Sequence, residues 1–133
     1  MAGITTPFPG GRITTPFGKP GKWAAGYHTG DDWACGVGTP LRTMWTVTVV
    51  AINAWGAAYG THVIMEFTPK GGATRRMAYC HMSRVDVRIG QRLAPGGHIG
   101  LSGNTGNTTG PHLHLEQRTA PYKYNNKAVK PIY

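Results

Sequence analysis

Near the C-terminal end of the chain the stretch GPHLHLE, residues 110–116, holds His112 and His114 around a single leucine. Side chains of an extended strand alternate between faces, so these two imidazoles share one surface while Leu113 and Leu115 point to the other. A second stretch, YHTGDDW at 27–33, sets His28 and Asp32 four residues apart across a glycine. In a roughly extended segment both can face the same side. Two imidazoles and a carboxylate, from His28, Asp32 and His114, form a donor set suited to zinc that leaves a fourth tetrahedral position open to water. A third stretch, AYCHMS at 78–83, brings His81 to the end of a strand-like run. With His81 and His112 outside the donor set, the site has two imidazoles to take and give protons, as hydrolysis beside a metal requires.

The elements that must position these residues are strands. The 20 glycines and 10 prolines are spread along 133 residues, and Val, Thr and aromatic residues cluster in short runs between them. That pattern predicts a mostly β, single small domain over 1–133, built on antiparallel sheet with long Gly-rich loops. Strands are expected over 47–52, 62–67, 73–81 and 112–117, and no long helical apolar period is present. The segment ITTPF occurs twice, at 4–8 and 13–17, around a Pro-Gly turn, and the two copies are expected to lie side by side. Residues 1–11 read as an N-terminal extension and 119–133 as a basic C-terminal segment.

Fourteen Lys and Arg against five Asp and Glu give a formal net charge of +9, which favours an anionic polymer as partner. The basic residues form no block, and no recognition helix, zinc-finger spacing or RNA-binding aromatic signature is present, which argues against nucleic acid. The start, MAGITTP, has no basic segment leading into an apolar core, so no secretory signal is expected. No apolar run approaches the roughly 20 residues of a membrane span.

The order HxGxD, then YxH, then GPHLHxE resembles the lysostaphin-type, LytM-like zinc metallopeptidases, peptidoglycan endopeptidases of bacteria and of phage endolysins. The likeness extends to RITTPFG (12–18), GTP (38–40), GQRL (90–93), HIG (98–100), SGNTG (102–106) and NKAVKP (126–131). The resemblance implies a β-sheet groove over one zinc ion per chain, bound by His28, Asp32 and His114, with His81 and His112 as catalytic, non-ligand histidines. The expected lack of a secretory signal and of a pro-segment then favours a monomeric phage lysin, made in the host cytoplasm and acting on peptidoglycan after the membrane is breached, with the charge of +9 holding it to anionic wall polymers. A non-catalytic peptidoglycan-binding or hydrolase-activating module is the alternative, and a cysteine peptidase a third reading. Asp31 stands where an apolar residue is frequent in the family, and is the alternative carboxylate to Asp32, although spacing favours Asp32.

Other residues receive plainer expectations. His62 and His98 read as surface residues. Parity along the strands turns Cys35 and Cys80 away from the metal, where the two could meet in a disulfide. Trp33 is expected in the core, and Trp23, Trp55, Tyr59 and Asn104 as groove wall. Glu116, two beyond His114, is either a partner for an imidazole N–H or half of an outward salt bridge.

Overall fold

The computed structural model describes residues 4–21, 27–120, 122 and 128–133. Trp23, and Asn126 and Lys127 of the C-terminal likeness, lie outside the described residues. The strands, in chain order, are β1 (Ile13–Thr15), β2 (Asp31–Trp33), β3 (Pro40–Arg42), β4 (Val47–Ile52), β5 (Thr61–Phe67), β6 (Arg75–Val85), β7 (Arg92–Leu93), β8 (His98–Ser102), β9 (Leu113–Thr119) and β10 (Ala128–Val129). The helical content of the described residues is a single 3-10 turn, Ala57–Tyr59, and no helix among them is long and apolar enough to cross a membrane.

All pairings are antiparallel, in the order β1-β2-β9-β6-β5-β4-β7, with β10 continuing beside β9 and β3 and β8 joined onto the end of β6. The four runs predicted from β-branched and aromatic residues are the long strands β4, β5, β6 and β9. The two ITTPF copies do not pair with each other. Instead β1 pairs with β2, while the first copy crosses the sheet edge and its Pro7 carbonyl accepts the Arg42 N–H. Phe8 explains the choice, because it is buried edge-on against Trp33, 6.5 Å between ring centres.

Period-two alternation divides the central strands into two faces. Val63, Met65, Phe67, Met77, Tyr79, Leu113 and Leu115 enter the main core with Trp33, Leu41 and Ile99. Each large apolar side chain buried in this way contributes about 1.5–3 kcal/mol. The opposite face carries a smaller cluster of Ile64, Ala78 and Cys80, and beside it stand His114 and Glu116, cross-strand partners of Cys80 and Ala78. The C-terminal residues close the core. Gln117 exchanges hydrogen bonds with the backbone of Ile132, and the Tyr133 ring meets Trp33 at 5.4 Å.

Candidate metal centre

Antiparallel pairing of β2 with β9 sets Asp32 directly opposite His114, so their side chains leave the sheet on one face. His28 reaches the same place because the chain passes very close to β9 at Gly30. A Cβ built there would sit 2.2 Å from the Leu115 carbonyl oxygen, a contact that no L side chain permits. The Asp32 carboxylate lies 3.3 Å from His28 Nε2 and 2.9 Å from His114 Nδ1. One donor atom from each of the three residues lies within 4.8 Å of the others.

Both imidazoles have their outer nitrogens engaged. His28 Nδ1 donates to the Pro16 carbonyl at 3.2 Å, and His114 Nε2 donates to Glu116 at 3.1 Å. These contacts leave His28 Nε2 and His114 Nδ1 facing Asp32, and it is these two nitrogens that a cation would take in place of their hydrogen bonds to the carboxylate. Two imidazoles that give up the protons at those nitrogens, and a carboxylate converging with them, fit a borderline divalent cation such as zinc. Burial pushes the Asp32 carboxyl up, but hydrogen bonds and charge from His114 and His28 outweigh it and hold the group well below the usual carboxylate range. Burial likewise pushes His114 down, while its bonds to Asp32 and Glu116 prevail and raise it to about 9.

His81 and His112 stand beside this set, their rings 4.9 Å apart, with His81 6.0 Å from His114. Each donates from Nδ1 to a carbonyl, His81 to Thr105 at 2.7 Å and His112 to Gly110 at 2.9 Å. Both therefore present Nε2, and that of His112 lies 3.6 Å from the Asp32 carboxylate. Burial keeps His81 neutral, lowering it to about 4. Strand alternation alone would turn His81 into the core, yet its φ of 60° reverses the chain locally, so that Cys80 and His81 both face the site and Met82 returns to the core. A non-glycine residue in this region is uncommon and costs about 1–3 kcal/mol. Thr105 holds the reversal in place: its hydroxyl donates to the Met82 carbonyl at 2.7 Å and accepts the Thr61 N–H at 3.1 Å. Gly60, at φ 65°, packs so closely that an added Cβ would fall 2.4 Å from the Thr105 carbonyl.

Behind His114, Glu116 is fully buried. It accepts hydrogen bonds from Thr29 at 2.7 Å, Tyr59 at 2.9 Å and Arg118 at 2.6 Å, besides the one from His114. Both readings of Glu116 are therefore present at once, except that the salt bridge points inward. Thr29, Thr105 and Arg118 are supporting residues that sequence reasoning passed over. For Arg118 the signal was available, since it extends the His112, His114, Glu116 alternation by one more step.

Several expectations change. Asp31 lies opposite Leu115, away from the donor set, and accepts the Phe17 N–H at 2.7 Å and the Tyr133 hydroxyl at 2.9 Å. Cys80 does not turn away from the site: it is opposite His114, buried against Ile64 and Ala78, because the reversal at His81 breaks the parity on which the expectation rested. Cys35 packs on the main core, and both thiols are free. His62 is not a surface residue but wholly buried, its Nδ1 donating to the Gly60 carbonyl and its Nε2 accepting the Trp55 N–H at 2.9 Å. Tyr59 is bonded inward to Glu116 and does not line a wall as a free ring, and Trp55 is half-buried over Arg118. Trp33 is in the core, and His98 is exposed and bonded to Asp86 at 2.7 Å.

The model of peptidase family M23 matches residues 26–131. Peptidoglycan DD-endopeptidase ShyA of Vibrio cholerae is 42% identical over 89 residues, which are 67% of this chain and 20% of that protein. The catalytic domain of the antimicrobial peptidase lysostaphin from Staphylococcus simulans superposes with a TM-score of 0.76 and 28% identity, over 90% of this chain and 88% of that one. A variant of the catalytic domain of EnpA, a prophage-encoded M23 protein of Enterococcus faecalis, gives a TM-score of 0.75 and 28% identity over 96% and 95% of the two chains. The chain spans only 20% to 28% of the length of the first curated relatives.

Proposed function

Since the chain belongs to peptidase family M23, we propose that it is a zinc-dependent endopeptidase that hydrolyses peptide bonds in the cross-links or stems of bacterial peptidoglycan. His28, Asp32 and His114 hold the metal, and His81 and His112 act on the reacting groups. The observation that carries this reading is the pair of imidazoles whose Nδ1 atoms are tied to carbonyls, leaving both Nε2 atoms beside the three-donor set. When bound, zinc supplies a Lewis acid and lowers the pKa of water toward about 7.

The work of the chain's own residues follows from their environments. His81, buried and neutral, is suited to take a proton at Nε2, and its Nδ1–H bond to Thr105 keeps the ring oriented while it does so. His112, less enclosed, has its Nε2 beside the same set, and when it carries a proton there as well as the one it gives Gly110 from Nδ1 it would donate to the oxyanion. Asp32 and Glu116 balance the positive charge that accumulates.

The further reading is a phage lysin acting on the host wall. It is supported by the fold likeness to the prophage-encoded M23 domain and by the charge of +9, which suits anionic wall polymers. The test is metal content of the purified protein together with lysis of purified peptidoglycan, with and without chelator. About one zinc per chain, and lysis that stops on chelation and returns with zinc, supports the enzyme. Metal-free protein that binds walls of several chemotypes without cutting them moves the assignment to a non-catalytic module.

A further inference from the structure

The alternation that sets His114 and Glu116 on one face of β9 brings Arg118 to the same face, with Arg76 opposite it on β6. Arg118 is 4% exposed. Its Nε donates to the second Glu116 oxygen at 2.6 Å, and one terminal nitrogen donates to the Tyr59 hydroxyl at 3.0 Å. Its guanidinium carbon lies over the Trp55 ring, 3.6 Å from the ring centre. Trp55 is fixed in turn from below, because its backbone N–H donates to the buried His62. A continuous line of contacts thus runs from the loop before β5, through Arg118 and Glu116, to the outer nitrogen of His114.

Resting on the reading of His114 as a metal ligand, we propose that Arg118 is a positioning residue for the metal and that Trp55 acts on metal affinity through it. A carboxylate that orients a ligand imidazole must itself be held in one orientation, and a planar fork does this as an ammonium does not. The Glu116 oxygens are divided accordingly: one receives His114, Thr29 and Tyr59, the other receives Arg118. Trp55 and Tyr59 line the pocket in which the guanidinium lies. Taking away the Trp55 face lets Arg118 tilt, and with it the carboxylate that aligns His114.

The test is zinc affinity of the full chain, measured by competition with a chromogenic chelator, so that catalysis is not the readout. Arg118→Lys and Trp55→Ala are each expected to weaken zinc binding by roughly ten- to a hundredfold, and Trp55→Phe, which keeps a stacking ring, to restore most of the loss. Arg76→Met is the control, since that guanidinium is also stacked on an aromatic, Tyr122, but pairs with Glu66; it is expected to change zinc affinity less than twofold. In the Arg118→Lys background, Trp55→Ala should add less than twofold. Near-UV circular dichroism reports folding, and if Arg118→Lys does not fold, the Trp55 pair decides alone. Folded Arg118→Lys protein with zinc affinity within twofold of the parent overturns the proposal, as does a Trp55→Ala loss undiminished in the Arg118→Lys background. A parent chain that binds no zinc instead overturns the metal reading on which the proposal rests.

Discussion

Six imidazoles occur in the chain, and what distinguishes the four at the site is how each stands to the Asp32 carboxylate. His28, His81 and His112 are tied at Nδ1 to a backbone carbonyl and His114 at Nε2 to Glu116, but only His28 and His114 meet the Asp32 carboxylate closely, at 3.3 and 2.9 Å, with His112 at 3.6 Å and His81 outside that group. This division predicts how variants separate. Ala at His28, Asp32 or His114 is expected to abolish stoichiometric zinc, while Ala at His81 or His112 leaves zinc bound and lowers turnover by about 10²–10⁴-fold; zinc analysis beside a lysis assay reads both. Because His114 is raised to about 9 without metal, protons compete with zinc for Nδ1 below that pH. Apparent affinity should fall about tenfold per pH unit, or about a hundredfold from pH 8 to pH 6. The sign for folding is the reverse. A raised histidine stabilises the metal-free fold fully below its unfolded value near 6.5, and that contribution is lost as pH rises toward 9. Melting curves of chelated protein across that window check it.

At the scale of elements, the site depends on how closely the turn before β5 approaches the 103–110 loop. Gly60→Ala adds a Cβ against the Thr105 carbonyl at a positive φ, and that carbonyl orients His81. The variant is expected to lose about 1–3 kcal/mol of stability and at least tenfold in turnover while keeping zinc, as thermal melts, kinetics and metal analysis together would detect. The long strands were legible in the sequence because β-branched and aromatic runs persist over six to eleven residues. Strands of two or three residues such as β2, β7 and β10 were not, since they exist only by pairing with longer neighbours. The grouping of His28, Asp32 and His114 was legible for a related reason: they lie in two short stretches that one strand pairing brings together. The burial of His62 and the reversal at His81 were not legible. His62 is enclosed by its own hairpin connection, through Asn53, Trp55 and Gly60, and His81 is turned where the Thr105 loop meets β6; neither depends on a periodic spacing.

For the molecule as a whole, the five carboxylates are few and all engaged. Asp31, Asp32 and Glu116 serve the interior or the site, and the outer two, Glu66 and Asp86, are bonded to Arg76 and Arg84. The cationic excess therefore meets solvent with little acidic counterweight. Binding to purified walls should weaken at least tenfold between about 50 and 500 mM NaCl, because exposed charges are screened over only about 8 Å at physiological ionic strength; co-sedimentation with walls measures this, and an unchanged bound fraction counts against charge as the source of affinity. The central position of β9 has a different consequence. This strand, flanked by β6 on one side and by β2 and then β10 on the other, carries the imidazole, the carboxylate and the guanidinium on a single backbone. Its amides should be among the slowest in the chain to exchange with deuterium, whereas the loop carbonyls that aim His81 and His112 belong to segments that open first. Mild heating is then expected to suppress lysis through those loops before β9 itself opens, and prompt cooling to restore it.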